Sequence, residues 1–169
     1  SIEYCKQFER QNLEFYIHDM REIFRTNCYD VALNLFTSFG YFNSEHDNHL
    51  AIRTASLSLK PGGYFILDFF NPNLIKSTSQ QQHTKQVDGI EFTINKHSDG
   101  NTIEKTIQFN DSGKNFKFTE SVQIISQSTF LKHFEGVGLI TRHIFGDYSL
   151  NPFEENSSER MIFITQKPQ

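Results

Sequence analysis

The sequence predicts an α/β domain whose best-marked unit is a parallel strand–helix–strand crossover, interrupted by an antiparallel three-stranded β insertion. Residues 29–70 carry the first observation: an apolar strand (DVALNLF), a helical stretch, the breaker KPGG and a second apolar strand (YFILDFF) follow in the order of a parallel crossover. Residues 87–125 carry the second, because they alternate apolar and polar with period two between the turn signals Asp99-Gly100 and Asp111-Ser112-Gly113. The third is size: 169 residues suit one domain with a real core, and 18 Phe with no Trp predict a core built on phenylalanine.

Each element has a local reason. Ile2, Cys5 and Phe8 lie at near-helical spacing in residues 1–11, which reads as an amphipathic helix ended by Asn12. LEFYI at residues 13–17 has the aromatic and β-branched character of a short strand, closed by His18-Asp19-Met20. The near-continuous apolar run at residues 30–36 predicts a strand buried on both faces, opening into a loop that holds Ser38, Gly40 and Tyr41. In open α/β sheets ligands sit at such strand C-terminal ends, so this loop is where chemistry is expected. Ser44 with Asp47 three residues on resembles a capping box, and Ala51, Ile52, Ala55 and Leu59 supply one apolar stripe. Pro61-Gly62-Gly63 should stop that helix, with Gly62 in the left-handed cap conformation. After Asn71-Pro72-Asn73, residues 76–85 are rich in Ser, Thr and Gln and read as a mobile linker. The insertion follows, its strands marked by Ile90, Phe92 and Ile94, then Ile103, Ile107 and Phe109, then Phe116, Phe118, Val122 and Ile124. Phe130, Leu131 and Phe134 mark a short helix ended by Gly136 and Gly138, and residues 139–145 and 161–165 are two more strands joined by a long link.

Composition narrows the function. A net charge of −4 without a block of Lys or Arg gives no basic surface for nucleic acid. No segment approaches the roughly 18 consecutive apolar residues of a membrane span, and residues 1–10 are charged, unlike a signal peptide. Cys5 and Cys28 are too few for a disulfide framework, so a reduced, cytoplasmic setting is expected. His46 and His49 share a helix face with Asp47, but no third ligand has suitable spacing; a solvated helix N-terminus explains them more simply, and no metal is expected. His18 and His143 are candidate general bases, each beside a strand where a structural role is commoner.

The segments FYIHDMREI, YDVALNLFTSFGYF, LSLKPGGYFILDFF, FLKHFEGVGLITRHIFGDY and SERMIFITQK, in that order, resemble the class I S-adenosylmethionine-dependent methyltransferases. The resemblance covers nearly the whole chain outside the insertion, and around SFGYF it is similar to amino-sugar N-methyltransferases. It implies a Rossmann-like sheet over residues 1–73 and 126–169, with residues 74–125 as an inserted lid or oligomerisation element. It places Asp19 where a carboxylate accepts from the adenine amino group of S-adenosylmethionine, with Met20 against the ring, the Leu35 carbonyl near the methionyl amine and Phe36 beside the cofactor. Ser38, Tyr41 and Phe42 then face the transferred methyl as substrate-binding residues, with Tyr41 the candidate catalytic group. Tyr148 and Arg160 reach the strand ends from the last connection, where Arg160 meets a substrate carboxylate or, equally, Glu154, Glu155 or Glu159. The bland alternatives stand beside these: Asp19 as a turn cap, and Ser38 and Tyr41 as loop packing.

One departure matters. The family's glycine-rich GxGxG loop and the acidic residue after its second strand are absent, as are the two strands that should stand between residues 13–17 and 30–36. The chain is therefore expected to be a fragment missing at least one βαβ unit of about 30 residues. The function expected of the whole is methyl transfer from S-adenosylmethionine to an N or O atom of a small molecule, in a protein with no nucleic-acid or membrane partner that forms a homo-oligomer through the insertion if it forms one. The alternatives are a non-catalytic interaction module with a degenerate methyltransferase fold and a nucleotide-dependent dehydrogenase.

Overall fold

Two four-stranded sheets organise the chain in the computed structural model, which describes residues 2–75 and 80–169. In chain order the elements are α1 (Ile2–Lys6), β1 (Tyr29–Asn34), α2 (Glu45–Ser58), β2 (Leu59–Phe70), a 3₁₀ turn (Pro72–Leu74), β3 (Gln80–Val87), β4 (Ile90–Ser98), β5 (Thr102–Asp111), β6 (Lys114–Gln123), α3 (Gln127–Gly136), β7 (Ile140–Phe145) and β8 (Arg160–Gln166). The first sheet has the order β1-β2-β8-β7. Its β1–β2 pair is parallel through α2, whereas β8 is antiparallel to both β2 and β7.

The predicted cap of α2 forms: the Ser44 hydroxyl accepts from the Asp47 N–H at 3.0 Å and donates to its carboxylate at 2.7 Å. KPGG departs from expectation. The helix ends at Ser58 with Leu59 already extended, and KPGG lies inside β2. Tyr29 pairs with Leu59 and Val31 with Tyr64, so residues 60–63 bulge opposite Asp30 alone. Gly62 takes φ +81° at this bulge, not at a helix cap, and a Cβ on Gly63 would come within 3.0 Å of the Asp30 carbonyl oxygen.

The core is phenylalanine-rich, as composition predicts. Phe39, Phe65, Phe69, Phe130, Phe134 and Phe163 are all buried with Ile52, Leu59, Leu67 and Met161. Phe130 of α3 is the hub, its ring 5.2 Å from Phe69, 5.2 Å from Phe163 and 5.6 Å from Phe39. Both α2 and α3 pack on this face of the first sheet.

Three expectations are corrected. The strand β1 is not buried on both faces: it has a partner on one side only, and Val31 and Leu33 are 48% and 60% exposed. LEFYI forms no strand; apart from a bridge between Arg10 and Leu13, its backbone meets no ladder. Its aromatic character is satisfied locally, with Tyr16 4.8 Å from Phe24 and the Arg25 guanidinium over both rings. The helix expected over residues 1–11 is also shorter, ending at Lys6, with Ser1 outside the described residues.

The insertion has four strands in the order β3-β4-β5-β6 instead of three. The extra strand comes from the segment read as a linker, of which residues 76–79 lie outside the described residues. Asp88 and Gly89 take φ +50° and +80° and close a two-residue hairpin between β3 and β4, as Ser112 and Gly113 do between β5 and β6. A strand of Gln, Thr and Lys is stable here because its neighbour supplies the ladder. On the sheet's other end the polar outer face needs no cover.

Truncating the hub tests the packing. Phe130→Ala should lower unfolding free energy by about 3–5 kcal/mol in a urea titration, because no neighbouring side chain can collapse into the space left among the surrounding rings.

Candidate functional site

The loop after β1 holds the most unusual backbone of the chain. Phe36 and Thr37 have φ +57° and +60°, two successive non-glycine residues in the left-handed region, one of them β-branched. Each such residue costs about 1–3 kcal/mol and persists only where its surroundings dictate it. Here they do. Asp68, wholly buried near the end of β2, accepts from the Phe36 N–H at 2.8 Å through its carboxylate, and its own carbonyl accepts from the Thr37 N–H at 3.1 Å.

The same carboxylate takes two more partners from the far end of the chain. The Arg160 guanidinium donates to it through Nε at 2.8 Å and lies 2.6 Å away through Nη2, which also donates to the Thr37 hydroxyl at 3.0 Å. The Tyr148 hydroxyl donates to the other carboxylate oxygen at 2.8 Å. Burial, followed by that hydrogen bond, pushes the Tyr148 phenol above its ordinary range. Arg160 and Tyr148 thus sit at the strand ends as expected, but Arg160 pairs with Asp68 and not with Glu154, Glu155 or Glu159. Their role in this structure is to hold the loop.

The loop residues divide. Phe36 is 76% exposed, its ring 6.3 Å from that of Tyr148. The Leu35 carbonyl accepts from both the Ser38 N–H and its hydroxyl. Phe39 turns into the core, and Gly40 at φ +86° allows its carbonyl to accept from the Gln123 N–H of the insertion at 2.8 Å. A Cβ at Gly40 would meet Val122 at 3.1 Å, so glycine permits this junction. Burial and then the charge of Glu120 raise the pKa of Tyr41.

Asp19 is held by Arg21, which donates to it through Nε and Nη2 and reaches Asp47 at 3.2 Å. The guanidinium lies 4.9 Å from the centroid of the Phe42 ring. Hydrogen bonds from the Arg21 side chain and backbone hold the Asp19 carboxyl down to about 2. The Ser44 hydroxyl, and after it Arg21, keep Asp47 below the usual carboxylate range. Met20 lines a shallow groove of about 190 Å³ with Leu33 and Asn34 of β1. The amide oxygen of Asn34 is buried without a hydrogen-bond partner, an acceptor aimed at no protein donor.

Beyond the loop lies a cavity of about 650 Å³ between the ends of β1 and β2 and the inner face of the insertion. Phe36 and Thr37 form its floor, with Phe70, Leu74, Ile103 and Val122 among its walls. Ser38, Tyr41, Phe42, Tyr148 and Arg160 are not among its lining residues. His18 bonds the Glu22 carbonyl and packs at a tilt against Phe24, and His143 stacks on Phe145; neither lines the cavity. His49 packs against the buried His133 ring at 5.6 Å and is not simply solvated, while His46 is exposed. Among the described residues no three His, Cys, Asp or Glu side chains gather to hold a metal.

Sequence reasoning missed Asp68, Thr37 and Asn34. The signal for Asp68 was present in YFILDFF, since a carboxylate in an otherwise apolar central strand must be buried and therefore must be paired.

No family model and no curated protein sequence matches the chain. Solved structures do. An S-adenosylmethionine-dependent methyltransferase from Clostridium acetobutylicum superposes with TM-score 0.81 at 17% identity, over 99% of this chain and 69% of that one. A sugar N-methyltransferase from a Streptoalloteichus species gives TM-score 0.74 at 14% identity, over 98% and 67%. An amino pentose methyltransferase from Micromonospora echinaspora, solved with S-adenosylmethionine bound, gives 0.67 at 15%, over 89% and 63%. The fold is therefore the Rossmann-like fold of the class I methyltransferases, and the chain spans about two thirds of the length of these structures.

Two outcomes test the site. Asp68→Asn should cost about 3 kcal/mol in urea unfolding, because it strips the Arg160 guanidinium of its counter-charge in a half-dry setting. For Asp19, a folded pKa of about 2 lies below the 3.8 of a free aspartate, so the contact with Arg21 is complete above pH 3.8 and lost as pH falls through about 2. Carboxyl-carbon NMR of Asp19 should show a midpoint near that value, and a midpoint near 3.8 would mean the ion pair does not form in solution.

Proposed function

We propose that the polypeptide is a methyltransferase that moves the methyl of S-adenosylmethionine to an N or O atom of a small molecule. The observation that carries this reading is the strained Phe36–Thr37 turn at the strand ends, standing between the Met20–Asn34 groove and a half-open cavity of small-molecule size. The likeness to methyltransferases supports it, and the amino pentose and sugar N-methyltransferases among them favour a nitrogen acceptor.

The residues fit the cofactor at one tested point: Asn34 lines the groove beside Met20, and its buried amide oxygen, which has no protein donor, suits an amino group. On this reading Asp19 accepts from the adenine amino group once Arg21 yields, Met20 packs on the ring, and the Leu35 carbonyl accepts from the methionyl amine once the Ser38 hydroxyl, which now donates to it, turns away. When bound, S-adenosylmethionine supplies an electrophilic methyl on a positively charged sulfur. Phe36 offers an aromatic face to that charge, and the walls from Phe70 and Leu74 exclude water around the acceptor. Rate then comes chiefly from alignment, with Ser38, Tyr41 and Phe42 shaping the approach and no general base required.

The insertion, residues 74–125, acts as the lid, because its inner face roofs the cavity. Its outlying apolar rows, which include the stacked rings of Phe109 and Phe116, are the surface through which a homo-oligomer would form. The open edge of β1, with Val31 and Leu33 exposed, is where further strands of a longer polypeptide would complete the sheet. Among the described residues no helix is long and apolar enough to cross a membrane, and a cytoplasmic setting with Cys5 and Cys28 reduced belongs to the same reading.

Isothermal titration of the complete polypeptide with S-adenosylmethionine and with its demethylated product tests the proposal. Binding of both is expected, together with transfer of labelled methyl to a small amine. Absence of binding would remove the methyltransferase reading and leave a non-catalytic module. For residues 1–169 alone binding should be weak or undetectable, since β1 lacks a neighbour on its open side.

A further inference from the structure

The roof of the cavity contains a charge arrangement that folding does not require. Antiparallel register sets Gln81 opposite Lys96, Lys96 opposite Lys105 and Lys105 opposite Glu120. These four residues therefore make one polar row across all four strands of the insertion, and all four line the cavity. The rows on either side are mainly apolar, with Ile103 and Val122 toward the domain and Ile94, Ile107 and Phe118 away from it.

Like charges directly opposite each other on neighbouring strands repel. Glu120 offsets one of the two lysines, lying 3.4 Å from Lys105. Among the described residues no carboxylate lies within ion-pair distance of Lys96. The row thus keeps an excess positive charge over a cavity whose other walls include the apolar Phe70, Leu74 and Ile75 beside the polar Thr37, His97 and Ser98. A cation set in a concave, largely apolar wall attracts an anion more strongly than one on an open surface.

We propose that the molecule held in this cavity carries an acidic group, a carboxylate or a phosphate, gripped by Lys96 with Lys105 beside it. The proposal deepens the methyl-transfer reading, on which it rests: the acidic end points to the roof, the apolar body lies against Phe70 and Leu74, and the accepting atom faces the Phe36–Thr37 turn. Glu120 keeps Lys105 in place and disfavours a second acidic group on its side of the cavity.

Binding of phenyl phosphate, benzoate and uncharged benzyl alcohol to the complete polypeptide tests it, with S-adenosylmethionine binding recorded in the same samples. At least one anion should bind well above benzyl alcohol and weaken as salt is added. Lys96→Gln should weaken that anion by about fivefold or more while Lys96→Arg retains it, because a charge-assisted contact is lost in the first and kept in the second. The tighter of the two anions tells phosphate from carboxylate. Lys105→Gln should also weaken the anion, which guards against an effect confined to one variant. Equal binding of benzyl alcohol, no binding of either anion, or an unchanged anion affinity in Lys96→Gln would overturn the proposal. Failure here with S-adenosylmethionine still bound would leave methyl transfer standing, whereas retained anion binding without S-adenosylmethionine would leave the anion site and remove methyl transfer.

Discussion

The carboxylate of Asp68 joins three stretches of chain that are far apart in sequence, and the arrangement of the site follows from how it is satisfied. It lies fully buried, so the fold must bring donors to it. The donors are the Phe36 N–H after β1, the Tyr148 hydroxyl in the last connection and the Arg160 guanidinium at the start of β8. A turn with two left-handed non-glycine residues would otherwise relax. Anchored to Asp68, it stays fixed at the C-terminal ends of two parallel strands, where an α/β sheet offers its ligand crevice. Preorganisation of this sort matters most for a reaction whose rate depends on alignment.

The insertion extends the same logic outward. Gly40 lets the turn approach β6 closely enough to bond its backbone, so the lid is tied to the loop it covers. Its four strands are stabilised mainly by their own ladders and cross-strand aromatic pairs, since Phe109 stacks on Phe116 and meets Phe92 at a tilt across the sheet. A sheet that is self-sufficient in this way can change the residues of its inner face without loss of fold. That freedom makes the Lys96–Lys105 row informative about what lies beneath it.

Much of this was legible in the sequence. The crossover was readable from its apolar strands and from Ser44 and Asp47 at the helix start, and the closing antiparallel pair from residues 139–165. What escaped was non-local. LEFYI has strand character but finds no ladder partner among the described residues, and propensity cannot supply one. The Gln80–Val87 strand is polar enough to read as a linker, although Asp88-Gly89 followed by Ile90 marked its hairpin. KPGG looked like a helix stop because the bulge it makes depends on Asp30, 30 residues earlier. The partner of Arg160 was sought in a substrate carboxylate or equally among nearby glutamates, when the stronger demand came from a buried carboxylate 92 residues away.

The most direct test of the central claim is a crystal structure of the complete polypeptide with the demethylated product of S-adenosylmethionine bound. The account predicts the ligand across the C-terminal ends of β1 and β2, against Phe36, with Phe36 and Thr37 still left-handed and still bonded to Asp68. A ligand bound elsewhere, or a turn that abandons Asp68 for an extended backbone when the site is filled, would contradict it.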